Sequence, residues 1–281
     1  MKVSVTYSPT LRNEMLSKAQ KVKPLNRERG AVKKSRMKLK KLFADFFTSM
    51  AVSVAKQVNS LKKMDESEIN DLLAQLDLSD FTELVGDIDE ILSALAEDGA
   101  AVALLQIGIK DDQSIVNQAN EHATAWASYR SAEMIGKKWV DGDLVDNPNA
   151  KWRIDETTRD LLKSSVTQAM KEGWSNDTLA AEIKDSYAFS DDRAEMIART
   201  ETATADVQGN MIAYRESGLV TGKVWITAND DAVSDDCAMN GEAGEIPLDD
   251  AFPSGAFEPP EHPNCRCDVI PVLDNEITQE D

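Results

Sequence analysis

"SDDRAEMIARTETATADVQGNMIAYRESGLVTGKVWIT" (190–227) changes its period once, and that change decides the fold. The first part reads as one long helix. Ser190 offers an N-cap, Asp191 and Asp192 sit where the helix end is positive, and Gly218 closes it. Ile197, Ala205 and Ile212 share a face, and the small residues Ala198, Ala203, Ala205, Gly209 and Ala213 let another backbone come close. A central packing helix is expected. After it the pattern becomes that of a strand, "GKVWIT" (222–227), and "CDVIPVL" (267–273) is the second strand candidate. Glu201 lies on the apolar face, where a carboxylate must meet a cation or backbone donors; it is either a structural salt link or a catalytic acid or base. Arg199 points elsewhere, with Glu195 as its natural local partner.

Roughly forty residues of acidic loop separate the two strands, too many for a bare connection unless something orders them. "EPPEHPNCRC" (258–267) holds two of the three cysteines and one of the two histidines. Cys237, His262, Cys265 and Cys267 have the count of a closed zinc site. Cys265 and Cys267 are one residue apart, however, and in extended backbone alternate side chains face opposite ways. A disulfide from Cys237 to Cys265 or Cys267, and plain burial of small thiols, are also open. The run from Asn229 fails as a calcium loop, because Val233 falls on a ligand position and no glycine occupies the sixth place. Residues 228–281 carry 15 acidic side chains and one basic, Arg266, so this region is not a nucleic-acid contact. Arg266 should pair with a nearby acid, Glu201 being a candidate. No phosphate loop, nucleophile elbow or helical histidine pair is present, and acidic surroundings raise a thiol pKa, so an enzyme is not expected.

Upstream the chain is helical. Residues 1–30 lack periodicity and read as flexible or ordered by a partner; from there Leu39, Phe43, Phe46, Met50 and Val54 line one face. Asp65 and Ser67 are caps for the next helix, and Ser79 for one ending near Gly99. Residues 113–136 form another, with His122 simply packed. The stretch 137–151 has turn chemistry and marks a boundary. Beyond it, one helix has a capping box from Thr157 to Asp160 and ends at Gly173, and a second starts at Ser175. The division is a partly flexible basic arm (1–41), a helical region (42–140), a domain over 150–273 and an acidic tail (274–281).

Charge separates arm from body. The 281 residues carry 31 basic and 50 acidic side chains, net −19. Residues 1–41 hold 13 basic against 2 acidic, leaving the remainder near −30. Lys33, Lys34, Arg36, Lys38, Lys40 and Lys41 therefore form a candidate contact for DNA or a protein partner. The apolar stretch from Ala94 is interrupted by Glu97 and Asp98 and is too short to span a bilayer, so no membrane partner is expected. No signal peptide is read at the N-terminus, and an odd number of cysteines suits synthesis in a reducing cytosol.

"RAEMIARTETATADVQGNMIAYRESG", "KVWIT", "CAMNGEAGEIPLDDAFPSG" and "PPEHPNCRC", in that order, resemble the minor head proteins of tailed bacteriophages, the phage Mu F-like head morphogenesis family. The likeness covers about residues 150–273. It implies an α+β fold, with a mainly helical N-terminal region and a compact C-terminal domain of helices plus a small antiparallel sheet. It also implies a non-enzymatic protein, made in the host cytoplasm and located in the virion. There it would join the portal protein and the procapsid interior, with capsid or scaffolding proteins as further partners and double-stranded DNA as a contact of the basic arm. The family's motif positions fall on Arg199, Thr200, Glu201, Gly209, Gly218, Trp225, Cys237, Gly241, His262, Pro263, Cys265, Arg266 and Cys267. Many relatives have a second Cys or His near Cys237; here the neighbours are Asp235 and Met239. The competing expectation is a virion-packaged transferase or hydrolase using Glu201.

Overall fold

The computed structural model describes residues 29–60, 79–110, 112–151 and 153–273. The caps at Asp65 and Ser67, most of the basic arm and the acidic tail lie outside them. Among the described residues, seven α-helices accompany two small antiparallel sheets, which bears out the α+β class. The helices are α1 (Gly30–Asn59), α2 (Leu84–Gln106), α3 (Gln113–Glu133), α4 (Ile154–Glu172), α5 (Asn176–Lys184), α6 (Asp191–Ser217) and α7 (Asp235–Glu242). The strands are β1 (Lys137–Val140), β2 (Asp143–Asp146), β3 (Val220–Ile226), β4 (Glu245–Pro247) and β5 (Asp268–Leu273). Two compact units form, and they do not follow a linear division near residues 140–150. One takes the described residues among Met1–Ser35, Leu92–Trp126 and Arg199–Asp281; the other takes those among Arg36–Ile91 and Ala127–Ala198.

In the first unit, α6 and α2 cross with their backbones in contact. A Cβ on Gly209 would lie 2.1 Å from the carbonyl oxygen of Ala96, and one on Gly99 would lie 2.6 Å from that of Asp206. Gly99 reads in the sequence as a helix stop, yet α2 continues to Gln106. Its missing side chain serves the crossing and not a turn. Around it Ala100, Ala103, Leu104, Met211 and Tyr214 form a core with Val220, Leu248, Val269 and Leu273. The Tyr214 hydroxyl donates to Gln106 Oε1 at 3.2 Å, and burial pushes its pKa well up. Arg29, at the edge of the expected flexible segment, pairs with Asp206 and sits 3.1 Å from Asp98. His122 pairs with Glu216 at 2.7 Å.

Gly218 takes φ +63 and ends α6, as its position predicts. The chain enters β3 within two residues, and the sheet order is β4-β3-β5, antiparallel throughout. Both expected strands are present within two residues; β4, three residues long, carries too little pattern to read.

In the second unit, Leu39, Phe43, Phe47, Met50 and Val54 of α1 are all at most 2% exposed. Phe46, expected in that stripe, lies on its flank with its ring 4.5 Å from that of Phe81. Residues 137–146 form the β1/β2 hairpin, not a linker, because Asp141 (φ 52) and Gly142 (φ 89) supply the two left-handed positions of a tight turn. Ser175 and Ser190 cap α5 and α6 as expected. The box at Thr157 does not form: its hydroxyl donates back to the Arg153 carbonyl at 2.8 Å, and Arg153 grips Asp155 instead. Arg193 is buried against neutral oxygens. It donates to Thr158 Oγ1, the Ala188 and Ile154 carbonyls and Thr157 Oγ1 at 2.6–3.1 Å, and burial lowers its pKa to about 10.

Gly209→Ala is expected to destabilise the protein by about 3 kcal/mol, since backbone cannot yield as a side chain can. The urea midpoint measures it; an unchanged midpoint would mean that the helices can separate without cost.

Candidate functional site

Two segments of the long loop converge on β3. The Ser234 hydroxyl caps α7 by accepting from the Cys237 N–H at 3.3 Å, which turns Cys237 inward in the first helical turn. Asn240, three residues on and fully buried, donates to Ser254 Oγ at 2.8 Å and accepts from the Ser254 N–H at 3.0 Å. Ser254 Oγ in turn donates to Glu261 at 2.9 Å and accepts from the Ala256 N–H. A polar hub thus orders a stretch that has no regular secondary structure. Gly241 lies against Thr227, where a Cβ would meet Cγ2 at 2.9 Å.

Asn264 adopts φ +61, and its N–H donates to Thr200 Oγ1 of α6 at 3.0 Å. This bond joins the helix motif to the Pro/Cys/His segment. Thr200 and Glu201 are both buried at 4% exposure. Glu195, expected beside Arg199, instead faces Arg36 at 3.6 Å and Lys40 at 3.5 Å. Arg266 pairs with Asp230 rather than Glu201, which raises the arginine pKa and holds the aspartate below its usual range. Pro263 is exposed at the turn.

Cys237, Cys265 and Cys267 come together, all at most 2% exposed and with their sulfurs within 4.8 Å of one another. The expectation that Cys265 and Cys267 face opposite ways fails because β5 begins only at Asp268, and the backbone before it is not extended strand. The Cys237–Cys265 sulfur separation is 3.6 Å, well beyond the length of a disulfide bond. His262 stands outside the group. Its Nδ1 lies 2.9 Å from the Pro263 carbonyl, so the expected Cys3His set reduces to three sulfurs. Burial pushes the Cys237 thiol up; the hydrogen bond with Cys265, then burial, push Cys267 far up. Trp225 and Phe252 cover the thiols with ring centroids 5.0 Å apart at 75°.

Lys223 is a buried group that sequence reading missed. It is fully buried on β3 and its Nζ has no hydrogen-bonding partner among the described residues. The amine lies 5.3 Å from the Phe252 ring centre and 5.7 Å from that of Phe257, and burial lowers its pKa. Its spacing from Trp225 held the signal, because residues two apart in a strand share a face. Along α1, Lys33, Lys34 and Lys38 are exposed, whereas Arg36 and Lys40 face Glu195 and Lys41 pairs with Asp45.

Residues 160–270 match the family model described as phage Mu protein F like protein. A Haemophilus influenzae protein named "Uncharacterized protein" is 34% identical over 117 residues, which make up 41% of this chain and 25% of that protein. The matched segment thus spans about a quarter of that relative's length. No solved structure matches the chain.

Thr200→Val leaves the Asn264 N–H without its acceptor and is expected to cost about 1–3 kcal/mol. Amide exchange at Asn264 should rise well above that of α6; unchanged protection there would show the joint to be dispensable. Lys223→Met removes the orphaned amine and should stabilise by about 1–2 kcal/mol at neutral pH. Because the folded amine has the lowered pKa, the unfolded chain binds more protons as pH climbs toward the ordinary value of 10.5. Wild type therefore gains stability over that window, and the melting-temperature gap should narrow. A constant gap would show that Lys223 does not titrate differently on folding.

Proposed function

From the match of residues 160–270 to the phage Mu protein F-like family, we propose that this chain is a bacteriophage minor head protein. It serves head morphogenesis by gripping other head proteins and not by turning over a substrate. Its place is the virion, at the portal vertex and procapsid interior, with capsid or scaffolding proteins as neighbours. The family match carries this reading, and the matched segment includes the Thr200–Asn264 joint between its two most distant motifs. Burial of Glu201 and of the three thiols supports packing roles for groups that an enzyme would present to a ligand. No helix among the described residues is long and apolar enough to cross a membrane. Exposed Lys33, Lys34 and Lys38 at the start of α1 suit phosphates of packaged DNA.

Co-expression with the portal and capsid proteins of a phage that carries this chain should place it in purified heads. Heads that assemble normally without ever incorporating it would overturn the assignment, as would a catalytic turnover abolished by Glu201→Gln in chains that still enter heads. For the DNA contact, Lys33→Gln, Lys34→Gln and Lys38→Gln together should flatten the salt dependence of duplex binding by roughly 2–3 in log–log slope. An unchanged slope sinks that part.

A further inference from the structure

We propose that Cys237, Cys265 and Cys267 form a binding site for one thiophilic d10 metal ion, zinc(II) or copper(I), held by three sulfurs. The argument begins with spacing. Sulfurs bound to one zinc at about 2.3 Å stand roughly 3.8 Å apart, while a disulfide needs about 2.05 Å. The Cys237–Cys265 separation is 3.6 Å, and all three sulfurs fall within 4.8 Å of each other. The 3.6 Å separation is close to the edge of a metal–thiolate polyhedron. Small thiols buried only as apolar groups have no reason to converge from α7 and from two positions of the irregular segment that leads into β5.

The surroundings provide an independent pointer. The indole Nε1 of Trp225 is buried and has no hydrogen-bonding partner among the described residues. Its ring packs in the cysteine cluster with Phe252. An unspent donor beside the sulfurs is what the outer shell of a metal thiolate requires, since it disperses the excess negative charge. Sulfur-only donors select soft ions, which excludes calcium and magnesium despite the acidic loop. On binding, each thiol releases its proton to solvent as its sulfur–metal bond forms. No electron is transferred. The ion would tie α7 to the segment entering β5, closing a loop otherwise held by the Ser254 hub and the Thr200 joint.

The experiment uses the full chain, purified under reducing anaerobic conditions and titrated separately with zinc(II) and with copper(I), with thiol counting after each. One equivalent of either metal, protecting all three thiols from a thiol reagent, is expected. Which ion binds more tightly decides between four-coordinate zinc with an outside ligand and three-coordinate copper(I). Cobalt(II) should give the sulfur-to-metal charge-transfer band of a thiolate site. Trp225→Phe should weaken binding by about tenfold at unchanged stoichiometry, and each Cys→Ser variant by at least about a hundredfold. His262→Ala should leave stoichiometry unchanged. Three thiols that stay fully reactive in the presence of both metals would overturn the proposal, and so would a Cys237–Cys265 disulfide in the protein from intact particles. Neither result would touch the assignment to head morphogenesis.

Discussion

The contact that everything in the first unit depends on is the meeting of α2 and α6 without side chains between them. Gly99 and Gly209 each stand where a methyl group would overlap the opposite backbone. Helix axes normally keep 8–10 Å apart because side chains hold them there. Here the absence of two Cβ atoms brings the main chains together. Alanines at 96, 100, 103 and 213 complete the close packing at 0% exposure. Asp206 lies at this crossing, and Arg29 meets it there.

That placement sets up the loop domain. With α6 held, Thr200 is fixed as an acceptor, and the Asn264 turn has something rigid to bond. The segment from 227 to 268 is rich in acid and poor in regular structure, so each buried polar group needs its own partner. The segment meets this requirement with helix-end charge and with bonds made inside the loop itself. Asp235 and Asp236 occupy the first turn of α7, where the helix end favours negative charge. Asn240, Ser254 and Glu261 satisfy one another, and Arg266 takes Asp230. The three thiols then occupy a small apolar nest under Trp225 and Phe252.

Two buried cations show how differently a cost of burial is met. Arg193 spreads its charge over four neutral oxygens and the face of Phe47, 4.9 Å away. A planar fork with several donors can do this, and the side chain keeps its charge at neutral pH. Lys223 has a single compact head that lies over two aromatic rings, and the more distant carboxylates of Glu258, Asp249 and Asp250 do not offset its burial. Its amine is the less settled of the two, and it lies on the strand that also carries Trp225.

Local chemistry was written plainly in the chain. The caps at Ser175 and Ser190, the stops at Gly173 and Gly218, both long strands and the small-residue face of α6 follow from neighbouring residues alone, because each answers to backbone geometry within a few positions. The ordered motifs from Arg199 to Cys267 also pointed to the family that residues 160–270 match. What tertiary structure decided was every pairing across distance. Gly99 looked like a terminator because its reason for being glycine is Asp206, more than a hundred residues away. Cys265 and Cys267 share a side, and His262 stands apart, because the backbone around Asn264 turns before the strand begins. Arg266 and Glu195 chose partners that proximity in sequence could not rank. Periodicity reports which face a residue occupies; which group waits opposite is settled only when the faces meet.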